Sequence, residues 1–168
     1  MSEGLSIETV CHRIKRKGIG NSVNTARNYL VRHVVTQAAP TGTGTIAGTA
    51  MRADNGTWLC YPVERREDSP YRMVSIGRTP NNDIVIADAS VSKFHAYFQS
   101  ETVLRVFDGG STNGTTINQQ PVAKRGMGDA LLAKVGDVIQ VGSVPLTLVD
   151  EAGILNLRKC LGHTQVNP

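Results

Sequence analysis

From residue 57 to 149 the chain is built of short apolar runs separated by turn residues, and this cadence limits the folds open to it. The runs cover 57–63, 72–76, 83–87, 94–100, 103–107, 115–118, 130–134, 137–141 and 144–149. Within most of them apolar and polar residues alternate, the period of a strand with one buried face. Ile84 and Ile86 should face one way, and Phe94, Ala96 and Phe98 should share a face in the next run. Asp68-Ser69-Pro70, Thr79-Pro80-Asn81, Asp108-Gly109-Gly110 and Val135-Gly136-Asp137 supply the turns. Many short strands at this spacing predict a mainly β fold, a sandwich. Pro145 lacks an N–H and marks the last run as an edge strand or one with an irregular end, although Val144, Leu146 and Leu148 keep the alternation.

The polar residues between the runs are not random. Gly77-Arg78, Asn82-Asp83-Ile84, Ser92-Lys93-Phe94-His95 and Ser111-Thr112-Asn113-Gly114-Thr115 fall in successive gaps. They should lie on loops at an end of the sandwich, where a rigid scaffold carries binding residues. Their chemistry suits an anion. Arg78 offers a planar fork of donors, Ser92 a hydroxyl, Lys93 a mobile charge, and Asn113 an amide that both donates to and accepts from a peptide backbone. No metal-ligand spacing and no glycine-rich strand-to-helix loop accompanies them, so neither cofactor nor metal is expected. His95 near Ser92 invites a catalytic reading, but the two stand three apart in a loop with no orienting acid in evidence. The set points to binding, not to an enzyme.

Gly-Arg, then Ser-x-x-His, then Thr-x-Asn-Gly or its Ser form, in that order, resembles the forkhead-associated (FHA) domain, a β-sandwich that reads phosphothreonine in partner proteins. The resemblance covers residues 56–150. It implies an FHA-type sandwich of about ten to eleven strands. It further implies that Arg78 and Ser92 bind the phosphate, with Lys93 assisting. Thr112 and Asn113 would lie on the neighbouring loop, Asn113 bonding the partner's backbone beside a niche for the threonine methyl group. His95 would brace the loops, and Gly77 and Gly114 would permit turns. Ser90 and the loop 79–82 would face positions flanking the phosphothreonine. Lys93 stands where the family often has arginine; it keeps the charge and loses the bidentate fork. The implied partner is a phosphothreonine-containing protein in Ser/Thr kinase signalling of bacterial style. A scaffold that binds without phosphate is the alternative.

The charge is uneven. Residues 1–50 carry six Lys/Arg against two Asp/Glu (net +4), 51–150 ten against eleven (net −1), and the remainder two against one (net +1). Helical spacing of Ile7, Val10, Cys11 and Ile14 predicts a helix from Ser6 to Lys17, with Ser6 as cap and Glu8 in the first turn. After Gly18-Ile19-Gly20, Val23, Ala26, Leu30 and Val34 predict a second helix capped by Asn21 or Ser22. Residues 1–35 are thus expected to form a basic helical hairpin, weakly similar to a helix-turn-helix, with Arg13, Arg16, Lys17, Arg27 and Arg32 as candidate DNA contacts. The same hairpin could instead pack on the sandwich or pair with a copy of itself, since a basic face is usually a solvated one. Residues 36–50 are a linker or a first strand, 51–150 the sandwich domain, and 151–168 a C-terminal tail with a short helix before Gly162.

Cys11, Cys60 and Cys160 are scattered and odd in number, which argues against disulfides or zinc and for a reducing cytoplasm. No apolar run approaches the roughly 20 residues of a membrane span, and no signal-peptide core is present, so the expected place is the cytoplasm.

Overall fold

The alternating runs pair into two sheets. The computed structural model describes residues 4–17, 28–35, 56–69, 71–100 and 103–162. In chain order the elements are β1 (Leu5–Ser6), α1 (Ile7–Lys17), β2 (Tyr29–Val35), β3 (Gly56–Pro62), β4 (Val74–Gly77), β5 (Ile84–Val85), β6 (Ala96–Ser100) and β7 (Leu104–Asp108). Then follow β8 (Thr115–Ile117), β9 (Gln120–Pro121), β10 (Leu131–Ala133), β11 (Val138–Val141), β12 (Val144–Val149) and α2 (Glu151–Gly162). A seven-stranded sheet runs β1-β3-β2-β12-β11-β8-β9 and a five-stranded sheet β10-β7-β6-β4-β5. The β4–β5 pair is parallel and the other strand pairs are antiparallel.

The strand period explains the core. Ile76, Ile86, Phe98, Val106, Ile139, Leu146 and Leu148 are fully buried between the sheets. Ile84 and Ile86 are both inside, as their spacing predicts, and so are Ala96 and Phe98. Phe94 departs from that face: it precedes β6 and its ring stacks on Tyr97, centroids 6.1 Å apart.

A second apolar cluster covers the outer face of the seven-stranded sheet. Ile7, Val10, Cys11 and Ile14 of α1 pack with Ile154 of α2 over Tyr29, Val31, Cys60 and Val149. The predicted first helix is therefore present, and its apolar stripe is its packing face. Its start follows the capping rule, the Thr9 N–H donating to Ser6 Oγ at 3.3 Å. Burial raises both thiol pKa values here, Cys60 to about 12, so neither is a reactive thiolate near neutral pH.

The predicted second helix is corrected. Tyr29–Val35 is a strand, between β3 and β12, with Leu30 opposite Tyr61 on one side and Leu148 on the other. Leu30 points into the inter-sheet core while Tyr29 and Val31 face the helices. A strand buried on both faces has no polar alternation, and a short apolar run of that kind cannot be told from a helix by period alone. The start of the expected helix, with Asn21, Ser22, Val23 and Ala26, and the stretch 36–50 lie outside the described residues.

Pro145 is not on an edge strand, since β12 lies between β2 and β11. The pairing of β12 with β2 covers Thr147 to Val149 and stops short of Pro145, which faces Gln140 of β11. The missing N–H therefore falls where β12 has one strand partner, the irregular end that proline tolerates.

Candidate functional site

Four loops gather where β4, β7 and β11 end and β6, β8 and β12 begin. Direct hydrogen bonds join them. The Arg78 N–H donates to Ser92 O at 2.9 Å, and its Nε donates to Val91 O at 3.1 Å. That bond steers the exposed guanidinium and leaves its Nη groups unpartnered among the described residues. Ser92 Oγ accepts the Thr112 N–H at 3.1 Å and lies 3.5 Å from Thr112 Oγ1. Asn113 Nδ2 donates to Ser90 O at 2.8 Å. Lys93 is exposed, and its carbonyl accepts from Asn82 Nδ2 at 2.7 Å and Thr79 Oγ1 at 2.9 Å. Arg78, Ser92, Lys93, Thr112 and Asn113 thus come from three loops that are tied to one another.

Beneath these loops lies a layer of buried polar groups. His95 is fully buried. Its Nδ1 accepts the Ser92 N–H at 3.0 Å, so the proton sits on Nε2, which donates to Gly114 O at 2.9 Å. The imidazole is spent on bracing two loops and cannot act as a base toward Ser92. Gly77 has no room for a side chain: a Cβ there would stand 2.3 Å from Lys93 O. Gly114 needs its freedom for a different reason, a φ of 78°.

Two members of this layer were not singled out from the sequence. Asn82, 1% exposed, ties its own loop to the Lys93 loop, donating also to Thr79 O at 2.8 Å. Asp108, fully buried, accepts from Gly110 N, Ser111 N, Ser111 Oγ and Thr115 Oγ1 at 2.7–2.8 Å. Burial alone would raise its carboxyl pKa, but the bonds from Ser111, Thr115 and Gly110 outweigh it and hold the value below the ordinary one. Asn82 stands in a noted polar block, and Asp108 was read as the start of a turn. What hides the role of Asn82 is its bond to Lys93 on another loop; Asp108 meets partners on its own loop, and it is its complete burial that the sequence does not mark. Ser90, expected to face the flanking positions of a partner, is instead half-buried and bonded inward, to Asp88 and Ser143.

Of the proposed DNA residues, Arg13 and Arg32 have described side chains, and they stand on different elements. Arg32 lies on β2, not on a helix, and pairs with Asp88 at 3.5 Å. Arg13 is exposed on α1, and Arg16 and Lys17 belong to its last turn. Arg27 lies outside the described residues. The register of β2, which turns Arg32 toward Asp88, takes it away from the face expected of a recognition helix. Among the described residues no three His, Cys, Asp or Glu side chains gather to hold a metal, and no helix is long and apolar enough to cross a membrane.

Residues 74–142 match the family described as FHA domain. The chain is 37% identical over 78 residues to the glycogen accumulation regulator GarA of Mycobacterium tuberculosis, covering 46% of this chain and 44% of that protein. It is 38% identical over 74 residues to the oxoglutarate dehydrogenase inhibitor of Corynebacterium glutamicum, covering 44% of this chain and 48% of that one. The matched region is therefore under half the length of these relatives. Among solved structures, Mycobacterium tuberculosis EmbR in complex with a low affinity phosphopeptide superposes with a TM-score of 0.50 at 19% identity, covering 85% of this chain and 29% of that one. At that identity the likeness is one of fold.

Proposed function

The chain carries an FHA domain at residues 74–142, and we propose that this domain is a phosphothreonine-peptide-binding module in Ser/Thr kinase signalling, recruiting a phosphorylated partner protein. The observation that carries the proposal is the hydrogen-bonded convergence of Arg78, Ser92 and Thr112, with an exposed guanidinium edge left over. In this reading Arg78 supplies charge-assisted donors to the phosphate, Ser92 a hydroxyl, and Lys93 a further charge. Thr112 and Asn113 form the adjoining wall, Asn113 meeting the peptide backbone and Thr112 bordering the niche for the threonine methyl group. The matched relatives are named as a regulator and an inhibitor, which supports a role by contact and not by catalysis.

Titrating the full chain with a phosphothreonine peptide library and its unphosphorylated copy tests this. Binding should require the phosphate, and Arg78→Ala should weaken it by about 2–4 kcal/mol while the thermal midpoint holds. Equal binding of both libraries, or an Arg78→Ala affinity within twofold of wild type, would replace this reading with that of a phosphate-independent scaffold.

For the N-terminal helix the apolar stripe under α2 supports packing over DNA binding. A gel shift on mixed duplexes at low salt should show no complex. A complex whose affinity falls steeply with salt would restore the nucleic-acid reading.

A further inference from the structure

We propose that Ser90, held by Asp88, is the positioning residue that orients Asn113 toward a bound peptide; this rests on the peptide-binding reading above. Ser90 joins three loops. Its hydroxyl donates to Asp88 Oδ1 at 2.7 Å and accepts the Ser143 N–H at 3.0 Å and the Ser143 hydroxyl at 2.8 Å. A serine hydroxyl has one hydrogen and two lone pairs, so its whole capacity is spent within the protein. It has nothing left with which to read a partner.

The Ser90 carbonyl does the outward work. It accepts one hydrogen of Asn113 Nδ2 at 2.8 Å. With that hydrogen committed, Asn113 offers a ligand its Oδ1 and its second N–H in a set orientation, where a free amide could turn over. The carbonyl can do this only if Ser90 itself is still. Asp88 Oδ1 also takes the Ser90 N–H at 3.0 Å, so one carboxylate oxygen clamps both ends of the residue. Its other oxygen faces Arg32 Nη2 across 3.5 Å, which links the clamp to β2 in the middle of the seven-stranded sheet. On the third side Gly142 lies against Ser90, where a Cβ would come 2.5 Å from Ser90 O. The Gly142 N–H donates in turn to Gly114 O, the acceptor that His95 also uses. Arg32, taken from the sequence as a DNA contact, thereby acquires a place behind the peptide-binding surface.

The test is a double-mutant cycle on the full chain, read by calorimetry with a phosphothreonine peptide selected from the library. Asp88→Ala and Ser90→Ala should each weaken binding about three- to tenfold. In an Asn113→Ala background the same changes should cost less than about twofold, whereas in a Lys93→Ala background they should keep their full effect. Asp88→Asn retains an oxygen for both Ser90 donors and should bind within about twofold of wild type, since a half-buried pair 3.5 Å apart adds less than those two bonds. Wild-type affinity in folded Asp88→Ala and Ser90→Ala, or an undiminished loss in the Asn113→Ala background, overturns the proposal. If no phosphothreonine peptide binds the wild type, the functional reading fails, and the nuclear magnetic resonance signal of the Asn113 side-chain amide in the unliganded protein decides the positioning role. A signal that moves in Ser90→Ala and Asp88→Ala and returns in Asp88→Asn upholds it; an unmoved signal ends it.

Discussion

Under α1 and α2 the chain buries Ile7, Val10, Ile14, Val149 and Ile154, whereas under the loops at the other region it buries Asn82, His95, Asp108 and Ser111. Both regions are closed to water. They differ in what a small displacement costs. Apolar contact is non-directional, so a helix can shift by a fraction of an ångström and keep most of its burial energy. A hydrogen bond weakens steeply once its angle or length is wrong, and a buried partner left unmet costs the full desolvation penalty. The helical face is thus suited to holding a sheet closed, and the loop region to holding exposed side chains at set distances from one another.

The comparison breaks most readily at its apolar side. Ile154→Ala removes a fully buried side chain from between the helices and the sheet. It should cost about 2–5 kcal/mol in chemical denaturation, and phosphopeptide affinity measured below the transition should stay within twofold. A parallel loss of affinity would mean that the helices govern the loops as well. Asp108→Asn reverses the pattern. Its amide offers donors where four donors already converge, so about 1–3 kcal/mol of stability should be lost. Here affinity should fall with stability, because the loop carrying Thr112 and Asn113 is left unanchored. Unchanged affinity in the folded mutant would show that the buried layer is not what positions the surface.

Acid sharpens the contrast further. The Asp108 and Asp88 pKa values are lowered on folding, the former because hydrogen bonds overcome burial, the latter chiefly through Ser90. A depressed carboxyl stabilises the fold above its unfolded pKa of about 3.9 and loses that contribution as pH falls through the folded value. Amide exchange in loops 88–95 and 109–114 should therefore rise below about pH 4 before it rises in β2, β3 and α1. Simultaneous opening of both regions would argue against separate anchorage. The smallest effect belongs to Lys93→Arg, which keeps the charge and adds a planar fork. It should bind phosphopeptide as tightly as wild type or somewhat more so. A tenfold loss would show that Lys93 meets something other than phosphate.

Most strands from β3 onward were legible because they show one face to water, so polarity marks about every second residue. The exposed site residues were legible as well, being polar clusters that no strand needs. β2 was not, for its two buried faces erase the period, and neither were β1 and β9, each only two residues long. Within the site, Asp108 looked like the start of a turn because the sequence does not mark its burial, and Asn82 looked like an ordinary loop residue because its partner Lys93 comes from another loop. The same holds for Arg32, whose charge alone suggested an anion outside the molecule when a carboxylate within it was the partner.

The position of β2 has a bearing on how the sandwich is assembled. Val31 is paired with Cys60 on one side and with Thr147 on the other, so this early strand joins β3 nearby in sequence and β12 across most of the chain. Closing the second of these costs more entropy and rewards it later. During synthesis β2 and β3 can form a ribbon soon after they emerge, but its far edge must wait for Val149 before it finds its neighbour. Until then that edge offers unpaired backbone groups to any strand in reach. Deleting the residues ahead of β3 would leave the same opening permanently, on both β3 and β12, since what is removed is the middle of a sheet.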